Sequence, residues 1–350
     1  MNFTTDAAAI GNSLRVIRRL CVPTDGCVTL RADGKTLVIS AVNEINQCQL
    51  VVPGELKGSA EFGVNLDSLD QVAKGRGDVE LSMKNTVLSI KSKGYAAQLA
   101  TSDVNQIDDS ALPDSKKIKI SGDHAAWLQH AVSACSLKYT SVADRFMPIG
   151  VSFGKQAFVS CFDDSHMSFI SSKEIQGDSE FVVPLDLLAG VLDAFGKQSF
   201  VLNISSVAVE VSNKLYKVRL NLPELDDQGP TLAMVQAKAK EIKKVNGTEM
   251  ALDKSRVVAF LDNSKAVAQK ERAAIDVVGD GKKLTMSVTT VGGTVKEVMK
   301  CTAKVKFSID HEFFDEMVRR SSDDLRMKAA GAFLVCLSSK ATLVSTFNKE

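Results

Sequence analysis

The chain has 350 residues, enough for two or three domains. Hydrophobic residues make up 45% and charged residues 24%, an ordinary balance for a globular protein that buries cores. With 43 basic against 42 acidic side chains the net charge is +1, which excludes a bulk pull toward nucleic acid or anionic membrane, so any DNA contact must come from local clustering. In chain order, Ile10, Leu14 and Ile17 lie at helical spacing and predict a helix from near Ala7, with Arg15, Arg18 and Arg19 on its other side. Strand Cys27–Arg31 leads to Gly34-Lys35, a hairpin signal because glycine supplies φ > 0. A Phe-led strand at 62 runs straight into a helix near Leu66, and a hairpin pairs Val79–Lys84 with Val87–Lys91. Past a junction at 113–117, a helix from near His124 carries Trp127, Leu128, Ala131, Val132 and Cys135 at core spacing. Strand Ile149–Phe153, Gly154-Lys155, a Phe-led strand at 181, a helix near Leu185 and the hairpin Phe200–Ile204/Val207–Val211 follow. A longer junction occupies 226–247, in which 231–244 reads equally as helix or as extended chain. A helix near Lys254 then carries Val257, Phe260 and Leu261, with Lys254, Arg256 and Lys265 toward solvent. Strand Ile275–Val278, Gly281-Lys282, a Phe-led strand at 307, a helix near Glu312 and the hairpin Leu325–Lys328/Phe333–Leu337 complete the chain.

These elements repeat. Phe62-Gly-Val-Asn-Leu-Asp-Ser-Leu69, Phe181-Val-Val-Pro-Leu-Asp-Leu-Leu188 and Phe307-Ser-Ile-Asp-His-Glu-Phe-Phe314 recur 119 and 126 residues apart. The Gly-Lys pairs at 34, 154 and 281 keep the same period, spaced 120 and 127 apart. Two unrelated landmarks sharing one period predict three tandem copies of one unit. The domains expected are 1–115, 116–230 and 231–350, the last with a linker-like start at 231–246. The fold class is α+β, each unit placing two helices on a mainly antiparallel sheet.

Basic residues on one helix read as a solvated face; if all the helices share one side of the protein, their charges sum to a field that holds phosphates loosely. Arg15, Arg18, Arg19, Lys254, Arg256 and Lys265 are the leading candidates for DNA contact, followed by Lys74 and Arg76. Arg319 and Arg320 end a helix with more acids than bases, where cations suit the helix dipole.

Enzyme motifs fail in context. Gly150-Val-Ser152-Phe-Gly154 matches G-x-S-x-G, but Ser152 lies inside a strand rather than at a strand-to-helix elbow. Gly34-Lys35-Thr36 resembles a phosphate loop, yet Thr29 stands at the required first glycine and a strand follows. The four histidines, 124, 130, 166 and 311, lack metal-ligand spacing, so no metal and no cofactor is expected. Asp163-Asp164-Ser165-His166 reads as a turn between strands Phe158–Phe162 and Met167–Ile170. Seven scattered cysteines without CxxC read as buried reduced thiols of a cytoplasmic protein. The N-terminal stretch shows no secretory signal, and no apolar run reaches the roughly 20 residues of a membrane span.

Ala32-Asp-Gly-Lys-Thr-Leu-Val-Ile-Ser40, Phe181-Val-Val-Pro-Leu185, Asp164-Ser-His-Met-Ser-Phe169 and Leu222-Pro223-Glu-Leu-Asp226 resemble segments of the bacterial-type DNA polymerase sliding clamp, the beta subunit or processivity factor. The resemblance covers almost the whole chain, and both a bacterial and a phage origin agree with it. It implies a head-to-tail homodimer whose helices line a hole around double-stranded DNA, with no catalysis, and with a DNA polymerase and a clamp loader as partners. Val267 and Ala268 fall near a dimer-contact position. A partner-peptide pocket would include Ser165, His166, Met167, Pro223, Leu334, Thr346 and Phe347. Core packing is an equal reading of Leu334 and Phe347, and the tail Val344–Glu350 departs from the Met- and Pro-rich ending of the family. The alternatives are a polymerase accessory factor that binds DNA without encircling it, and an enzyme on a repeated α/β scaffold.

Overall fold

The computed structural model describes residues 1–33, 36–73, 77–136, 148–163, 166–222, 231–244, 246–268, 273–321, 324–337 and 342–346. The first third of the chain runs β1 (Asn2–Asp6), α1 (Ala7–Leu20), β2 (Cys27–Asp33), β3 (Thr36–Val42), β4 (Asn46–Val52), β5 (Glu55–Lys57), β6 (Ala60–Asn65), α2 (Leu66–Ala73), β7 (Asp78–Lys84), β8 (Val87–Ser92) and β9 (Tyr95–Ser102). Next come β10 (Lys116–Ile120), α3 (Gly122–Cys135), β11 (Pro148–Phe153), β12 (Ala157–Phe162), β13 (His166–Ser172), β14 (Ser179–Pro184), α4 (Leu185–Phe195), β15 (Phe200–Ile204), β16 (Ala208–Ser212) and β17 (Tyr216–Asn221). The remainder is α5 (Leu232–Lys244), β18 (Thr248–Asp253), α6 (Lys254–Ala268), β19 (Ala274–Asp280), β20 (Lys283–Thr290), β21 (Gly293–Lys300), β22 (Lys304–Asp310), α7 (His311–Arg320), β23 (Asp324–Ala330), β24 (Phe333–Leu337) and β25 (Thr342–Thr346). Leaving out β5 and α5, one order occurs three times: strand, helix, four strands, helix, three strands. The α+β class expected from the repeat is therefore the class observed.

At five of the six places where strand turns directly into helix, a capping residue stands at the switch. Asp6 accepts from the Ala8 amide at 2.9 Å, Asn65 from Ser68 at 2.9 Å, Ser121 from His124 at 3.3 Å, Asp253 from Arg256 at 3.3 Å and Asp310 from Phe313 at 2.9 Å. Each satisfies an amide that the first helical turn leaves without a carbonyl partner. Helix α1 then buries Ile10, Leu14, Ile17 and Leu20, the stripe its spacing predicts. In α3, Leu128, Ala131, Val132 and Cys135 are buried, whereas Trp127, expected in the core, is half-buried.

The chain divides into two compact units, Met1–Gln129 with Asp186–Pro223, and His130–Leu185 with Glu224–Glu350. The first holds a 13-stranded sheet in the order β10-β15-β16-β17-β4-β3-β2-β6-β9-β8-β7-β1-β5. The second holds an 8-stranded sheet, β14-β11-β12-β13-β25-β24-β23-β18, and a 4-stranded sheet, β21-β20-β19-β22. All the strand pairings recorded within them are antiparallel.

Several details differ from the sequence reading. The last hairpin of each copy carries a third strand, β9, β17 or β25, that the reading missed. The 231–244 segment is helical. Of the Gly-Lys turns, Gly281 has the expected left-handed backbone at φ +94°, whereas Gly154 does not, and Gly34-Lys35 lies outside the described residues. Six of the seven free cysteines are buried and Cys27 is half-buried. Burial pushes the Cys336 thiol up to about 12, which keeps it protonated and inert.

Candidate functional site

The basic residues singled out on the helices carry partners. Arg18 on α1 bridges to α2, at 2.5 Å from Asp67 and 3.4 Å from Asp70, and the Asp67 hydrogen bond raises its pKa further above an already high ordinary value. Arg19 pairs with Asp193 of α4 at 2.7 Å. Lys265 on α6 lies 3.4 Å from Asp315 of α7, and Arg319 of α7 reaches back to Asp262 at 2.6 Å. Arg320 pairs with Glu316 at 2.7 Å and donates to the Ala134 carbonyl at 3.4 Å. Arg256 pairs with Glu297 of β21 and donates to the Val298 carbonyl at 2.7 Å. Arg15 is exposed and bonds the neutral Asn12 side chain at 3.2 Å. Lys254 departs from expectation. It is half-buried rather than solvated, and its ammonium donates to the Ser321 carbonyl at 2.7 Å, where it satisfies the C-terminal end of α7. Lys74 and Arg76 lie outside the described residues. Where a helix cation faces an acid in this way, its charge is largely cancelled within one Debye length, whereas Arg15 and Lys254 bond neutral acceptors.

The residues expected to form a peptide pocket fall on two rows. In antiparallel pairing His166 faces Ser345, and Ser345 faces Leu334; Met167 faces Val344, and Val344 faces Val335. Neighbouring residues of a strand point to opposite faces, so the two rows occupy opposite faces of the 8-stranded sheet. His166 stacks on Phe313 of α7 at 4.0 Å between ring centroids and is buried. Met167 lies on the other side, in a cluster with Phe158, Phe162 and Phe169 that α5 covers through Leu232, Val235, Ala239 and Ile242. His166, Met167 and Leu334 are thus placed, but not around one cavity. Ser165, Pro223, Phe347 and the Thr346 side chain lie outside the described residues. Val267 and Ala268 are half-buried at the end of α6, where the Val267 carbonyl accepts from Thr290 Oγ1 at 3.2 Å beside the β20–β21 turn.

The serine and histidine groups that could suggest catalysis are engaged structurally. Asp163 closes the turn as expected, its amide donating to the His166 carbonyl at 2.9 Å and its carboxylate accepting from the His166 amide at 2.6 Å. Ser152 accepts from Gln236 of α5 at 2.6 Å. Ser264 and His311 lie 2.7 Å apart but are both buried, and burial lowers the His311 pKa. Among the described residues no three His, Cys, Asp or Glu side chains gather as metal ligands would. Among the described residues no helix is long and apolar enough to cross a membrane.

The sequence matches no family model and no curated protein. Solved structures match over the whole chain. The DNA polymerase III subunit beta of Pseudomonas aeruginosa superposes with a TM-score of 0.82 at 11% identity, covering 100% of both chains. This chain has the beta-clamp fold. The beta subunit of Thermotoga maritima gives 0.80 at 12% identity, covering 100% of this chain and 99% of that one. The Helicobacter pylori beta clamp, solved bound to a DNA ligase peptide, gives 0.77 at 13% identity with both chains fully covered. The clamp fold explains why the strand-helix order repeats. Two features escaped sequence reasoning: the acids opposite the helix cations, which are distant in sequence, and α5, whose Ala237-Lys-Ala-Lys240 alternation masks the helical stripe around it.

Proposed function

We propose that two copies of this chain close head to tail into a ring around duplex DNA, and that the ring tethers a DNA polymerase without catalysing a reaction. The three units are taken as 1–115, 116–230 and 231–350. The observation that carries the reading is a joint that occurs twice within the chain. The strand pairings make Leu50, Ile170 and Glu297 equivalent, because each lies opposite Ile39, Val159 or Met286, which in turn lie opposite Leu30, Val151 and Val277. Those three face the repeated Phe62, Phe181 and Phe307. By the same route Ala97, Val218 and Leu343 are equivalent, lying opposite Ile90, Val211 and Cys336.

In the first compact unit Cys48 pairs with Val218; in the second the equivalent Ser168 pairs with the equivalent Leu343. Two joints, β4·β17 and β13·β25, therefore share one register. The third pair of equivalent edges is β21 and β9. Among the described residues no strand lies on the outer side of β21, nor on that side of Tyr95–Ala100. A second copy supplies what each lacks, with Val295 opposite Ala97, Glu297 opposite Tyr95 and Gly293 opposite Leu99. Pairing both edges removes two exposed templates for aggregation, and a head-to-tail contact that closes makes a ring.

Topological retention needs little affinity, which agrees with Arg18, Arg19, Arg256 and Lys265 being already paired with acids. Clamp loading, peptide capture and a place beside DNA in the cytoplasm follow from the same reading. The test combines solution mass with retention on DNA in salt. A dimer that stays on circular DNA and slips from linear ends is expected. A monomer, or salt that strips both DNAs equally, refutes ring closure and favours a non-encircling accessory factor.

A further inference from the structure

The outer face of the 4-stranded sheet is basic. Alternation along β19–β22 sends Ile275, Val277, Leu284, Met286, Met299 and Phe307 into the core and turns their neighbours outward. Across that outward face Lys283 stands opposite Lys300, Lys304 opposite Asp280, Lys306 opposite Val278 and Lys296 opposite Ser287. All five lysines are exposed, in a chain whose net charge is +1. The acids beside them are Asp276 and Asp280, and the Asp280 carboxylate is turned to its own loop, accepting from the Lys282 and Lys283 amides at 2.8 and 2.9 Å. Among the described residues no carboxylate pairs with Lys296, Lys300 or Lys304, whereas Arg18, Arg19 and Lys265 on the helices each face one. Like charges directly opposite, as at Lys283 and Lys300, weaken a sheet, so the arrangement costs stability for as long as no anion lies on it. Val278 and Val298, 43% and 40% exposed, stand among the lysines.

The equivalent face of the first compact unit shows what such a surface holds. By the strand equivalences, Gln49, Val51 and Arg31 there correspond to Lys296, Val298 and Val278. Segment 105–110, which contains Gln106-Ile-Asp-Asp-Ser110, lies across it. The Asn105 amide donates to Thr29, Gln47 bonds both the Asp108 amide and carbonyl, and Arg219 pairs with Asp108 at 2.9 Å. Gln49 donates to the Asp109 carboxylate at 2.6 Å, and Lys217 and Arg31 lie 3.5 and 3.8 Å from the same group. Two adjacent aspartates are thus received by basic and amide side chains of the outer face. At the matching position of the 4-stranded sheet the amide of Gln49 is replaced by the ammonium of Lys296, and Lys296, Val298 and Val278 stay exposed.

We propose that this outer face docks an acidic segment of another protein, its carboxylates on Lys283, Lys296 and Lys300 and its apolar side chains on Val278 and Val298. Carboxylates fit the face better than a nucleic-acid backbone does. It carries Asp276 among its lysines, it has no arginine to fork onto a phosphate, and it shows no aromatic ring on which a base could stack. Acids laid over the lysines also relieve the repulsion between Lys283 and Lys300. The inference does not depend on ring closure, and its test uses neither dimerisation nor duplex DNA.

The probe is the peptide Asp-Asp-Val-Asp-Asp-Val-Asp-Asp carrying a neutral dye, titrated with the full chain at low salt and read by fluorescence anisotropy. Saturable binding is expected, absent for the peptide with Asn in place of every Asp. Combining Lys283→Gln, Lys296→Gln and Lys300→Gln, all at solvent-facing positions, should weaken it about tenfold, and Arg at the same three positions should keep it. Lys57→Gln, Lys197→Gln and Lys214→Gln together change the net charge equally at exposed sites elsewhere and should leave binding as it was. No binding by the parent chain, or equal weakening by the two glutamine sets, overturns the proposal. A thymidine oligonucleotide of the same charge that binds more tightly than the peptide, and loses its hold in the first set alone, overturns it in favour of a single-stranded nucleic acid.

Discussion

Single side chains set where this molecule is sensitive. Arg219 is almost fully buried, and its guanidinium holds Asp108 at 2.9 Å, Glu210 at 3.4 Å and the Ser110 carbonyl. Arg219→Met keeps the packing but leaves Glu210 with Lys217 at 3.4 Å as its remaining cation and frees Asp108, and a loss of about 2 kcal/mol is expected, seen as a lower urea midpoint of the transition that reports the first compact unit. His311 responds to pH. Its folded pKa lies below the ordinary 6.5 because burial disfavours the imidazolium, so below that value the unfolded chain binds more protons than the folded one. Stability is full above 6.5 and is lost as pH falls from there toward the lowered value; thermal unfolding of a His311→Gln variant should lose this slope. Two glycines of the same repeated phrase should behave oppositely. Gly281→Ala strains a φ of +94° and crowds Lys304, costing about 1 kcal/mol, whereas Gly154→Ala meets open space and is neutral by the same melting measurement.

At the scale of elements, the charge pairs between helices govern any hold on DNA. Asp193→Asn releases Arg19 from its 2.7 Å partner, and on the proposed function it should tighten binding to a short linear duplex roughly two- to fivefold at low salt. Fluorescence anisotropy reads this directly, and an unchanged affinity would remove Arg19 from the DNA-facing set. The elements themselves were largely legible. Ala7, Leu66, Leu185 and Lys254 begin helices where the apolar periodicity and the repeated Phe-led phrase put them, and the other two starts lie within two residues of expectation. What was not legible has a physical cause. Strands β9, β17 and β25 are recognised by what they pair with, and α5 by the face it covers; both are tertiary facts. The site was less readable still, because His166 and Met167 are adjacent in sequence yet point to opposite faces, and Arg18 meets an acid 49 residues away.

For the whole molecule, the repeated register makes a sharp statement about assembly. With Val295→Cys and Ala97→Cys in one chain, mild oxidation should join copies to one another through those positions, identified by mass spectrometry of the linked peptides. Shifting the second cysteine to Gln98 should abolish the link, since a one-residue slip turns the side chain to the other face. Linkage at Gln98 but not Ala97 would contradict the shared register. The complementary edges β21 and β9 have a further consequence. On the proposed pairing each copy offers β21 to the β9 of the next, so association stops only when the turn per joint divides a full circle. A substitution that alters that turn by a few degrees, without weakening the contact, converts a finite assembly into open-ended filaments, and light scattering would rise with protein concentration instead of reaching a plateau.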